Sequence, residues 1–277
     1  MEFKDEINNE CAFNLKNKGI CSDPYIINKI KELVVETKNV PPKNDKKLFD
    51  DLKEKYNCKS ESCVLTQPEI KEFIPKYELE KNLQLRFKPK GPRNSFNWLS
   101  NFDIDDVLEQ IQKKYTDKKF YHINFQMRDF EKMGSELARL DFYEKYKQNY
   151  RTFGTIINTD YSTGQGIHWF AIFGDFLDNN NCFTIEYFNS SGEPPLDEIL
   201  IWMKKVKHEW DTKFDKNVKD IIVSNIHHQT DNHSCGAYSL YYIISRLEGI
   251  PYKHFRENRI DDKVMHEFRK YLFRDEQ

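Results

Sequence analysis

No stretch of this chain approaches the ~18 consecutive apolar residues that a membrane-spanning helix needs, so a bilayer-embedded protein is not expected. The first ten residues, MEFKDEINNE, lack the basic-then-apolar layout of a secretion signal, which points to a reducing, cytosolic setting. An excess of one charge is also missing: 43 basic and 45 acidic side chains leave a net charge of −2. No global positive field exists to hold nucleic acid, and no nucleic-acid partner is expected. Lysines cluster from Lys43 to Lys55 and from Lys113 to Lys119, but interspersed acids make these read as solvated helix faces. Cysteine is sparse. Six residues at uneven spacings fit no disulfide framework, and Cys58-Lys-Ser-Glu-Ser-Cys63 is not a CxxC motif, so free thiols are expected. A Walker loop, a GxGxxG turn and an HExxH helix are all absent, and no cofactor is called for. Neither an internal repeat nor a low-complexity tract appears.

Aromatic rings are what the chain has in quantity. Apolar residues make up only 38%, yet they include 21 Phe, 15 Tyr and 4 Trp. Each ring buries a large area, so a substantial core is within reach despite the polar average. The length of 277 residues allows one large domain or two smaller ones.

Residues 1 to about 85 carry helical periodicity and no strand-like alternation. Ile26, Ile27, Ile30, Leu33 and Val34 share one helix face, Pro41 to Asp45 breaks the chain, and further helices are expected from about Lys46 and from Gln67-Pro68. Pro and Gly then gather with charges in Lys88 to Asn94, the best linker candidate. The expected organisation is a helical arm domain over 1–88 and a second domain over 89–277. In the second, a helix start at Trp98 to Asp105 precedes strand signals at Phe120–Phe125, Thr152–Asn158, His168–Phe173, Cys182–Phe188 and Lys219–Ile226. Helices are expected at Leu196 to about Trp210, at Cys235 to about Leu247, and at Asp261–Phe273. The fold class is α+β: a mixed central sheet flanked by helices, plus an all-α arm.

The chemistry concentrates at the ends of these elements. Cys235 stands where a polar loop becomes an apolar helix; unsatisfied N–H groups and the helix dipole there favour a thiolate, the form that attacks. Gly236 leaves the approach to that sulfur open. His168 opens a strand after the loop Tyr161 to Ile167 and can serve as base. Asn189 ends the next strand; if the two strands pair, its side-chain oxygen can accept from the imidazole and fix its tautomer. Gln229, six residues before Cys235, can point an amide N–H at a developing oxyanion. His227, His228, His233 and Cys235 are all of ligand type, but their spacing fits no common zinc finger, and no metal is expected.

Three motifs occur in this order: His168-Trp169 at a strand start, Tyr187-Phe188-Asn189-Ser190, and Gln229 followed after five residues by Cys235-Gly236. Together they resemble the ubiquitin-like-protein protease clan, which contains the SUMO-specific and adenovirus-type proteases. Within it, the chain looks like the polyprotein-processing proteases of large DNA viruses. The resemblance implies an adenain-like cysteine protease core, cleavage of viral structural polyproteins at Gly-Gly-Xaa sites during virion maturation, and a monomer at host cytoplasmic assembly sites and in the virion. It also implies substrate-binding roles for Trp98 in WLSN and Trp169, two aromatic walls forming a slot too narrow for any Cβ, and for Asn158 and Gly236 nearby. The wider clan mostly has Asp where this chain has Asn189; a neutral amide orients imidazole without adding negative charge. Three alternatives stay open: removal of SUMO or ubiquitin from host conjugates, acetyl transfer on the same fold, and a catalytically inactive binding scaffold.

Overall fold

A computed structural model describes residues 3, 6–15, 19–37, 40, 44–177, 182–213 and 217–275. The expected chain break over Pro41 to Lys43 lies outside them. The chain divides into two compact units: Phe96–Phe268, and Glu2–Ser95 together with Arg269–Gln277. The division thus falls after residue 95 rather than 88, and the last nine residues go with the N-terminal unit. The cause is local: Arg93 donates to the carbonyls of Lys270 and Phe273, and a Cβ on Gly91 would collide with the Phe273 ring at 2.3 Å.

The N-terminal unit holds α1 (Pro24–Glu36), α2 (Asp45–Tyr56), α3 (Glu61–Leu65), α4 (Pro68–Phe73) and α5 (Lys76–Arg86). Asp23 caps α1 by accepting from the Ile26 N–H at 2.9 Å, and Pro24 at the first helical position needs no such partner. Asn44 and Ser60 cap α2 and α3 in the same way. Ile26, Ile30, Leu48, Phe49, Val64 and Ile70 meet in one largely aliphatic core. Two disulfides, Cys11–Cys21 and Cys58–Cys63, correct the expectation of free thiols. The reason is visible at the second. Asn57 ends α2 in the left-handed conformation with φ 52°, and the reversal into α3 brings the two Cα atoms to 5.6 Å, within disulfide reach.

The larger unit begins with α6 (Asn101–Lys114), whose Ser100 and Asp103 form a reciprocal capping box. There follow β1 (Phe120–His122), β2 (Gln126–Met127), the short helices α7 (Phe130–Met133), α8 (Glu136–Arg139) and α9 (Phe142–Lys147), then β3 (Thr152–Asn158), β4 (Trp169–Asp175) and β5 (Phe183–Phe188). After α10 (Asp197–Lys213) and β6 (Val218–Val223) come α11 (Cys235–Leu247), α12 (Tyr252–Glu257) and α13 (Asp262–Leu272). The sheet is mixed, in the order β1-β3-β4-β5-β6: β4 is antiparallel to both neighbours, while β1 and β2 run parallel to β3, and β6 to β5.

All seven residues of β3 are buried, as a strand covered on both faces requires. Alternation sorts them. Phe153, Ile157, Phe170, Ile172, Ile185 and Tyr187 join Trp202, Met203 and Trp210 of α10 in one aromatic-rich layer. On the other face α11 lies against β4, and Tyr242 stacks on Phe188 at 4.4 Å. A buried charge cluster locks this face. Glu186 accepts from Tyr242 Oη at 2.6 Å, from Arg246 Nε at 2.8 Å and from Arg246 Nη2 at 2.9 Å. Since β5 leads into Asn189 and α11 begins at Cys235, this clasp fixes two of the predicted site elements to each other.

Candidate active site

His168 immediately precedes β4 and Asn189 immediately follows β5. The register sets Phe188 against Ala171, which brings the two element ends together, and His168 Nε2 lies 2.7 Å from Asn189 Oδ1. The same Oδ1 accepts from the Ser191 backbone N–H at 3.1 Å, while Asn189 Nδ2 donates to Tyr187 Oη at 3.0 Å. The amide orientation is therefore fixed by its surroundings. With an acceptor opposite it, Nε2 carries the proton in the neutral ring, and Nδ1 is left as the basic nitrogen. Burial pushes the His168 imidazole below its ordinary value, and the hydrogen bond to Asn189 offsets this only in part. Burial likewise pushes the Tyr187 phenol upward, so it stays a hydroxyl and a reliable partner for Asn189.

Two routes of contact connect the surroundings of His168 with those of Cys235. In the first, Ser190, next to Asn189, donates its hydroxyl to Gln229 Oε1 at 2.9 Å. Gln229 Nε2 in turn donates to the Asp231 carbonyl at 2.9 Å, and the Asp231 carboxylate accepts from the backbone N–H of Ser234 at 2.9 Å and its hydroxyl at 2.6 Å. Ser234 abuts Cys235. In the second route Trp169, next to His168, donates its indole N–H to the Leu99 carbonyl at 3.1 Å. The Leu99 side chain closes over Gly236, where an added Cβ would sit 3.1 Å from it. A side chain on Gly236 would therefore make the Leu99 side chain give by a few tenths of an ångström.

Cys235 is buried at the first turn of α11, and Ser239 donates its hydroxyl to the Cys235 carbonyl at 3.0 Å. Both Cys235 and Cys182 are free thiols. Trp169 is buried, whereas Trp98 is half exposed beside Leu99. Asn158 is buried, and its Oδ1 accepts from the backbone N–H groups of Asp160 at 2.9 Å and Ile167 at 3.0 Å. That side-chain oxygen closes the loop leading to His168. Beside His168 a groove opens, lined by Thr159, Tyr187, Glu193, Leu196 and Glu198. Arg128 crosses it to reach Glu198 at 2.8 Å and lies 4.6 Å over the Tyr161 ring.

Sequence reasoning passed over Asp231, which organises the loop before α11. The signal for it was there: an Asp accepting backbone N–H groups two and three residues on is an Asx turn, suited to Asp-Asn-His-Ser. It also passed over Glu186 and Arg246, for which no local signal exists, because their pairing spans 60 residues.

A nucleophile-type cysteine at a helix start, with an oriented imidazole on a mixed sheet, defines a class. Over residues 106–277 the chain matches the Ulp1 protease family, C-terminal catalytic domain, and it belongs to that family of cysteine proteases. Its branch is viral. It is 39% identical over 280 residues to a cysteine protease of African swine fever virus (strain Badajoz 1971 Vero-adapted), with 96% of this chain and 95% of that one covered. A counterpart of equal identity from isolate Pig/Kenya/KEN-50/1950 is named a SUMO-1 cysteine protease. A putative thiol protease of Acanthamoeba polyphaga mimivirus is 26% identical over 240 residues, covering 84% of this chain and 76% of that one. The crystal structure of the African swine fever virus protease is similar with a TM-score of 0.81 at 36% identity, covering 96% of each chain.

Proposed function

We propose that this viral cysteine protease is an endopeptidase that processes structural polyproteins at Gly-Gly-Xaa sites during virion maturation, using Cys235, His168 and Asn189 with Gln229. The observation that carries the reading is the 2.7 Å hydrogen bond from His168 Nε2 to a locked Asn189 Oδ1, which leaves Nδ1 as base. In the proposed cycle His168 takes the Cys235 proton, and sulfur attacks the carbonyl carbon of the second glycine. The Cys235 N–H and one N–H of Gln229 hold the oxyanion. For Gln229 this means giving up its longer contact, 3.3 Å to Asp231 Oδ1, while the 2.9 Å bond to the Asp231 carbonyl stays. His168 then protonates the leaving amine, and water releases the acyl group from sulfur.

Support for the substrate comes from Trp98, half exposed, and Trp169, buried with its indole N–H on the carbonyl of Leu99, the residue next to Trp98. A slot between such rings passes glycine and rejects side chains. In this reading the enzyme acts without a cofactor, as a monomer on protein substrates in host cytoplasm and virion.

Mass spectrometry of a Gly-Gly-Xaa peptide incubated with wild type and Cys235→Ala tests the assignment. Cleavage after the second glycine is expected from wild type, with a loss of more than ~10⁴-fold in the variant at unchanged melting temperature. Intact SUMO cut faster than the peptide would shift the substrate to host conjugates, and acetylated products would overturn proteolysis.

A further inference from the structure

Thirty-odd residues separate His266 from the loop before α11, yet its ring returns to it. His233 Nε2 lies 3.1 Å and His266 Nε2 3.3 Å from the same oxygen, Asp231 Oδ2. The ligand atoms of Asp231, His233 and His266 all fall within 4.8 Å of one another, and all three residues are partly buried. We infer that Asp231, His233 and His266 form a divalent-cation site of the zinc class, with three protein ligands and one position left to solvent.

Geometry supports this directly. Around zinc, ligand N and O atoms stand ~2.0–2.1 Å from the metal in a tetrahedron, which sets neighbouring ligand atoms about 3.3 Å apart. The two oxygen–nitrogen distances of 3.1 and 3.3 Å already match that edge. Two imidazoles with one carboxylate is a donor set suited to zinc, less so to calcium or magnesium, which take oxygen.

The surroundings also resemble those of a metal site. Asp231 Oδ1 is held by the backbone N–H groups of His233 and Ser234 at 3.1 and 2.9 Å, and Ser234 Oγ donates to Oδ2 at 2.6 Å, so the carboxylate is oriented before any cation arrives. The rings of His233 and His266 lie nearly parallel, 13° apart with centroids at 5.5 Å, and Phe96 packs edge-on against each at 5.0 Å. That ring supplies an apolar wall on one side, while the partial exposure of His266 gives entry on the other. The histidines adjacent in sequence do not join: His227 is exposed, and the buried His228 accepts the Ile260 N–H on Nδ1 at 3.1 Å. A cation here would tie α13 to the loop that carries Gln229 and runs into Cys235, stiffening that loop.

Zinc also binds thiolates, so the test removes the sulfur first. Cys235→Ser protein is titrated with zinc against a chromophoric chelator, then loaded with cobalt. One equivalent bound, zinc-dependent stabilisation, and intense tetrahedral visible bands without thiolate charge transfer are expected. His266→Ala on the same background should weaken binding at least ~100-fold. Absence of zinc binding by Cys235→Ser would overturn the inference, as would equal binding after His266→Ala or a pale six-coordinate cobalt spectrum. Should His266→Ala melt early without metal, the cobalt spectrum of the parent and the behaviour of His266→Gln decide the matter in its place.

Discussion

The two units of this chain solve the problem of a stable interior by different means. The N-terminal unit packs short capped helices around mostly aliphatic side chains and adds two disulfides. The larger unit relies on aromatic layers against a sheet covered on both faces, on the buried Glu186–Arg246–Tyr242 cluster, and keeps its cysteines 182 and 235 reduced. Every proposed site residue belongs to the second. A reactive thiol is thus housed in the unit that owes nothing to cystine bridges, and the bridges stand in the unit with none of the proposed catalytic groups.

That contrast can be broken experimentally. The largest effect is expected from Arg246→Ala. It leaves the carboxylate of Glu186 buried without its cation, at a cost of about 3–5 kcal/mol in chemical denaturation, and cleavage should fall as the seating of α11 on β5 loosens. Unchanged stability would show that the clasp holds nothing. Next come Cys11→Ser and Cys58→Ser. Each opens a loop of 10 or 5 residues' separation, and ~2–3 kcal/mol of stability should go with each, while kcat/KM on a peptide stays within about twofold. A parallel collapse of activity would erase the division of labour between the units.

The smallest effect is the sharpest. Catalysis needs neutral His168, and burial holds its imidazole below the usual range, so the acid limb of kcat/KM should lie below ~6.5. Asn189→Asp places a carboxylate charge beside Nε2, favours imidazolium and moves that limb upward. Asn189→Ala removes the one hydrogen bond that raises the imidazole and moves the limb downward, with a lower rate. pH–rate profiles of the three proteins check the order, and coincident limbs would remove Asn189 from the site.

Much of the second unit was legible because its signals are local. Strand β3 spans Thr152–Asn158 and α11 begins at Cys235, as alternation and the change from polar to apolar residues indicate. His168 stands just before β4 and Asn189 just after β5, where the sequence places them, and the antiparallel register does the rest. The helices α7 to α9 stayed invisible, since four to six residues are too few for a periodicity to show. The disulfides were missed because spacing along the chain says nothing of how Asn57 turns it back. Asn158 was singled out by its match to the protease clan, and what no local signal showed is that its side-chain oxygen also closes the 159–167 loop. The reach of His266 to Asp231 is a matter of tertiary return, and no window along the chain contains both.

The return of residues 269–275 to the N-terminal unit has a consequence for how the molecule is made. Arg274 donates to the Lys88 carbonyl at 2.9 Å, the hydroxyls of Ser60 and Ser62 reach the Asp275 carbonyl at 2.7 and 2.8 Å, and the Lys88 ammonium sits 4.8 Å over the Tyr271 ring. The hydrogen-bond partners of these groups lie 186 to 215 residues apart in the chain. The N-terminal unit therefore completes its packing only after the intervening residues 96–268 have been made.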